Sequence, residues 1–149
     1  MALRVAIAGA GLGGLCLAQG LRRAGGIEAV VFERDGSPGE RRQGYRLHLD
    51  ARAGLALEKC LPSDLFELFL ATCSRPSRGF SVVSERLRPL HAVAGTPGVD
   101  PYLAATLATS VNRQTLREVL AARVDVRFGH AVVAHVAEHV SKAVHPFLQ

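Results

Sequence analysis

Val5-Ala6-Ile7-Ala8-Gly9-Ala10-Gly11-Leu12-Gly13-Gly14-Leu15 decides how this chain is read. An apolar run passes directly into Gly-x-Gly-x-x-Gly, and the pattern then turns helical. Each glycine has its own physical reason. Gly9 permits a tight turn, Gly11 lets a diphosphate approach bare backbone, and Gly14 lets the new helix pack closely on the strand. The first amides of a helix have no partner inside it and sit at its positive end, which suits an anion.

Alone, such a glycine loop is weak evidence; its surroundings strengthen it. A second apolar run, Glu28-Ala29-Val30-Val31-Phe32, ends in Glu33, 22 residues after Gly11. A carboxylate at that point accepts hydrogen bonds from a ribose diol. Strand, glycine loop, helix, strand and terminal acid together predict a dinucleotide site in an α/β fold.

The 149 residues suit one domain, and 48% hydrophobic with 21% charged residues indicates a globular chain. The net charge is +5, and 16 of the 18 basic residues are arginine, scattered except for a group after the second strand. No aromatic platform or reader motif accompanies this charge, so no nucleic-acid partner is expected. Cys16, Cys60 and Cys73 have no metal or redox spacing, and their odd number argues against a disulfide framework, so a cytoplasmic location is expected. Val5 to Leu21 superficially resembles a signal or membrane segment. At 17 residues, with five glycines and Gln19, it is short of the about 20 apolar residues that span a bilayer, and no membrane association is expected.

Along the chain, Leu3 to Ala8 reads as a buried parallel strand, apolar on both faces, and Gly13 to Ala24 as a helix stopped by Gly25-Gly26. Ala29 to Phe32 is the second strand, and Arg34 to Gln43 an irregular loop. Tyr45 to Leu49 alternates like a strand with one wet face. Ala51 to Cys60 is helical in composition, and Pro62-Ser63-Asp64 opens another helix. Phe80 to Val83 and Leu87 to Val93 read as a hairpin pair. Asn112 is placed to cap a helix from Arg113 to Ala122. Val124 to Phe128 and Ala131 to Val136 read as strands around Gly129-His130. The middle of the chain is thus mixed and antiparallel, which implies a Rossmann-like βαβ core with part of an inserted β-rich substrate layer.

In this order the pieces resemble the flavin-dependent aromatic hydroxylases, single-component FAD monooxygenases of the para-hydroxybenzoate hydroxylase type. Four stretches carry the likeness: Gly9 to Leu15, Val31-Phe32-Glu33-Arg34, Gly44 to Asp50, and Ser110 to Leu120. The resemblance implies FAD as cofactor, NAD(P)H as reductant and an aromatic or polyketide-like small molecule as substrate. It implies that Gly9, Gly11 and Gly14 hold the diphosphate, Glu33 the adenosine ribose, and that Arg34 lies along the adenine. Gly44 would lie near the flavin or its ribityl chain, with Arg46 beside it, and Arg113 at the diphosphate or ribityl chain. The competing readings are a solvent-facing strand residue for Arg46 and an exposed first-turn arginine for Arg113. No residue stands out as acid, base or nucleophile.

The resemblance covers residues 3 to 137. It implies a partial FAD-binding domain over 1–137, with about 75–108 partly on the substrate side, and a divergent tail over 138–149. The family's later Asp-Gly and Gly-Asp fingerprints have no counterpart here, so the expectation is a truncated member that need not be active by itself, with an uncovered outer edge on its first strand. Two other classes stay open. One is a non-catalytic Rossmann module for NAD or FAD, with NADP not excluded by the arginines after Glu33. The other is a zinc site at His135 and His139, whose His-x-x-Glu-His spacing matches an inverted metalloprotease pattern. The remainder of that ligand set is missing, so no metal is expected. Oligomeric state is not legible.

Overall fold

The computed structural model describes residues 3–40, 44–74, 79–94, 102–104 and 108–134. Strand β1 (Leu3–Ala8) leads through the glycine loop into helix α1 (Leu12–Ala24), and the chain returns in β2 (Ile27–Phe32). β1 and β2 pair in parallel, Leu3 opposite Ile27 through to Ala8 opposite Phe32. Gly25 and Gly26 both take positive φ, which lets the helix stop and reverse within two residues.

The sheet gains its third strand from the far end of the described chain. β7 (Asp125–Arg127) lies parallel to β2, giving the order β1-β2-β7. Among the described residues β1 therefore has one partner strand. Helices cover one face of this sheet. Ile7 and Val31 point into that layer and are buried with Leu15 and Ala18 of α1. The other face carries the Arg4–Glu28 ion pair at 3.2 Å and Arg127 over the Phe32 ring. The expectation of a first strand buried on both faces is thus corrected: of β1 only Ile7 is buried, and Leu3 is exposed.

Helix α2 (Ala51–Cys60) and helix α4 (Arg113–Ala121) pack beside α1, and α3 (Ser63–Thr72) packs on α4 and α2. Asp50 caps α2 by accepting the Ala53 N–H at 3.1 Å. Asn112 caps α4 by accepting the amides of Gln114 and Thr115. Leu57, Leu61, Leu65, Phe69, Leu116, Val119 and Leu120 complete the core. Gln19 is buried at its centre, and its Nε2 donates to the carbonyls of Leu120 and Ala122 at 2.9 and 2.8 Å. That pair of bonds takes up carbonyls at the end of α4 that no helical amide can reach.

Two antiparallel pairs complete the architecture. β3 (Arg46–Leu49) pairs with β6 (Thr109–Asn112), a strand the sequence pattern does not announce, since Thr109 to Asn112 is too short and mixed to alternate visibly. β4 (Gly79–Val83) and β5 (Pro89–Ala94) form the expected hairpin, exposing Val82, Val83, Leu90 and Val93.

One expected strand is absent. Residues 131–134 of the predicted Ala131 to Val136 strand are irregular, and the rest lies outside the described residues. Gly129, at φ 72°, turns the chain after β7. The amides of Gly129 and His130 then donate to the carbonyls of Asp35 and Glu33. These bonds lead the segment past the end of β2, and among the described residues it pairs with no strand.

Candidate functional site

The carboxyl ends of β1 and β2 open onto a cleft of about 520 Å³. At its floor, Gly9 has φ +99°, a conformation that carries a steric penalty for any side chain, and its amide donates to the Phe32 carbonyl at 2.7 Å. Gly11 is the N-cap of α1. A Cβ there meets nothing within 4 Å, so the backbone is bare toward the cleft. Gly14 is the opposite case: a Cβ would collide with the Gly9 carbonyl oxygen and press on Ile7 Cγ2. The turn, the open backbone and the close packing thus fall on three different glycines.

The N-terminus of α1 has no side-chain cap and no acidic residue in its first turn. Its positive end faces the cleft uncompensated, while Arg22 and Arg23 offset the other end. Glu33 closes the site from β2. Its Oε2 accepts the Ala10 N–H at 2.7 Å and its Oε1 the Asp35 N–H at 3.1 Å. The side chain is buried, and burial pushes its pKa up. The amides of Asp35, Ala10 and Arg34, with the Arg117 guanidinium, outweigh that and hold the carboxyl below the usual glutamate range. An ionised carboxylate has about four acceptor positions, so two amide bonds leave room for a ribose diol.

Arg117 is the buried cleft residue that sequence reasoning passed over. It is buried on α4, donating through Nε to the Ala10 carbonyl and through Nη1 to the Pro38 carbonyl, both at 2.8 Å. Nη2 lies 3.9 Å from Glu33 Oε2. The signal was present: Arg113 and Arg117 are four residues apart on a helix, which puts them on one face. Both line the cleft.

Of the other expected site residues, Arg34 lines the cleft beside Glu33 and Asp35. Arg113 lines it from α4, its guanidinium 5.8 Å from the centre of the Tyr45 ring and its amide bonded to the Tyr45 carbonyl. Gly44 and Arg46 are not part of its lining. Gly44 sits next to the α4 cap, accepting a hydrogen bond from Asn112 at 3.4 Å, and Arg46 is exposed on β3 opposite Asn112. His130 and residues 131–133 form the facing wall, with the His130 ring tilted against Phe32. Three arginines and two acids therefore surround the space, and the helix terminus adds to the positive side. This arrangement can hold a doubly charged diphosphate on backbone amides and a ribose on Glu33.

The fold is α/β and Rossmann-like. Residues 7–59 match the family described as the NAD(P)-binding Rossmann-like domain. The chain is 39% identical over 121 residues to the dual O-methyltransferase/FAD-dependent monooxygenase elcB of Phaeosphaeria nodorum, covering 79% of this chain and 13% of that protein. It is 54% identical over 65 residues to the dual O-methyltransferase/FAD-dependent monooxygenase CTB3 of Cercospora beticola, covering 44% and 7%. Among solved structures, a putative FAD-containing monooxygenase from Photorhabdus luminescens superposes with a TM-score of 0.67 at 29% identity, covering 85% of this chain and 30% of that one. The chain thus spans only a small part of the length of these relatives.

No helix among the described residues is long and apolar enough to cross a membrane. Among them, no three His, Cys, Asp or Glu side chains are grouped to hold a metal, and the His135–His139 pattern lies outside them.

Proposed function

We propose that this chain binds FAD through the β1–α1–β2 cleft, as part of an FAD-dependent monooxygenase of the para-hydroxybenzoate hydroxylase type. The observation that carries the reading is the convergence of Gly11's open backbone, the uncapped start of α1 and the ionised Glu33 on one cleft. The names of elcB and CTB3 support FAD as the dinucleotide. Gly9, Gly11 and Gly14 shape the diphosphate seat, Glu33 takes the adenosine ribose, and Arg34 flanks the adenine. Arg113 faces the diphosphate or ribityl chain. Gly44 and Arg46, outside the cleft lining, belong to the flavin end in this reading. Arg117 fixes Glu33 and the Ala10 peptide from behind.

When bound, FAD would supply the redox chemistry, taking electrons from NAD(P)H and using dioxygen to hydroxylate an aromatic or polyketide-like small molecule, with the second oxygen atom leaving as water. The residues of this chain bind and orient it. The exposed β4–β5 hairpin is assigned to the substrate side, and the cytoplasm is the proposed compartment. The test is expression with added FAD, gel filtration, and a visible spectrum of the protein peak. Flavin co-eluting with the chain is the expected result; a colourless peak at high FAD overturns it.

The match to an NAD(P)-binding domain favours one second reading, a module that holds a nicotinamide dinucleotide. A colourless chain whose melting temperature rises with NAD identifies that case.

A further inference from the structure

Cys16 and Cys60 stand 44 residues apart, and the packing of α1 against α2 brings them together. Cys60 Sγ lies against α1 within a turn of Cys16, close enough to raise the Cys16 thiol's pKa. Two features hold Cys60 there. Gly20, one turn after Cys16 on α1, leaves space for it: a Cβ at Gly20 would lie 3.1 Å from Cys60 Sγ. Arg23, further along α1, donates to the carbonyls of Glu58 and Leu61 at 2.8 and 2.7 Å, anchoring the chain on both sides of Cys60. Both thiols are half-buried, so a small oxidant has access. Burial, and then the neighbouring Cys60, pushes the Cys16 thiol up to about 12, so Cys16 stays protonated at neutral pH. Cys73 belongs elsewhere: its thiol donates to the Phe69 carbonyl.

We infer that Cys16 and Cys60 form an oxidisable dithiol that closes to an intramolecular disulfide on exposure to hydrogen peroxide and reopens with a thiol reductant. The Cys60 sulfur attacks one peroxide oxygen, the O–O bond breaks, and the departing hydroxide takes the Cys60 thiol proton, giving Cys60 sulfenic acid and one water. The Cys16 sulfur then attacks the Cys60 sulfur. The S–O bond breaks, and the leaving hydroxide takes the Cys16 proton as a second water. Two thiols are oxidised to one disulfide, and one peroxide is reduced to two waters. The link would tie α1, whose N-terminus opens the cleft, to α2. It does not depend on which dinucleotide the cleft takes.

The experiment is a free-thiol titration of the purified, denatured chain before and after hydrogen peroxide, with non-reducing peptide mapping. The expected titre falls from three to one per chain, the linked peptides contain Cys16 and Cys60, and dithiothreitol restores all three. Cys73→Ser should still lose two thiols. Cys16→Ser should lose only one, with Cys60 trapped by dimedone as its sulfenic acid. A titre that stays at three, a link through Cys73, or links only between chains overturns the inference.

Discussion

Glu33 and Arg117 hold the two backbone polar groups of Ala10: the carboxylate accepts the Ala10 N–H at 2.7 Å, and the guanidinium donates to the Ala10 carbonyl at 2.8 Å. Residues 84 positions apart thus hold both polar groups of the residue between Gly9 and Gly11. The glycine loop is set in place before any ligand arrives. Its conformation therefore rests on α4 as much as on β1 and α1.

Replacing Arg117 tests that dependence. Arg117→Met removes the donors to Ala10 and Pro38 and strips Glu33 of its nearest cation, at a cost of about 3 kcal/mol. Arg117→Lys does not rescue it, because a single ammonium cannot reproduce the forked contacts to two carbonyls. Urea denaturation reads the stability. A titration with FAD should show weaker binding in both variants.

Glu33 gives a pH signature. Its folded pKa is held below the unfolded value, so the native state binds fewer protons on this group. Its stabilisation is complete above the unfolded value, about 4.3, and is lost as pH falls through the lower folded value. Stability of the wild-type chain should be flat in this term at neutral pH and decline below about pH 5. Glu33→Gln should be less stable at neutral pH and show a shallower decline. Parallel curves for the two proteins would refute the assignment.

Two neighbouring glycines should respond oppositely to alanine. Gly14→Ala drives a methyl into the Gly9 carbonyl oxygen, and separating strand from helix should cost about 2–3 kcal/mol. Gly13→Ala meets nothing within 4 Å inside the first turn of α1, and helix propensity should leave it neutral or more stable by up to about 1 kcal/mol. Thermal melts of the two variants distinguish them directly.

Gln19→Leu tests the polar centre of the core. The substitution keeps roughly the same volume but leaves the carbonyls of Leu120 and Ala122 without their donor, at a cost of about 1–3 kcal/mol. Chemical denaturation should show the loss, with the end of α4 the first region to exchange its amides.

The local elements were legible because their signals are local. Asn112 announces α4 as its cap and does cap it, and the helical composition of Ala51 to Cys60 announces α2. The hairpin of β4 and β5 follows from two alternating runs close in the chain. Less visible were contacts between distant segments. β6 is recognisable only once β3 lies beside it, and the path of 131–134 follows from the bonds of Gly129 and His130 to the carbonyls of Asp35 and Glu33, residues distant in the chain. Gly44 and Arg46 illustrate the same limit: a motif gives their order in the chain but not whether they reach the cleft lining.

The spacing of Gly9, Gly11, Gly14 and Glu33 by itself determined the β1–α1–β2 unit, because turn conformation, bare backbone and close packing are properties of single residues and short intervals. Only the tertiary structure decided that Arg117 clamps Ala10 and Glu33, that β7 lies beside β2, and that Cys16 meets Cys60. Those contacts depend on how whole helices and strands settle against one another, where the buried face of each element is fixed by every other element packed on it.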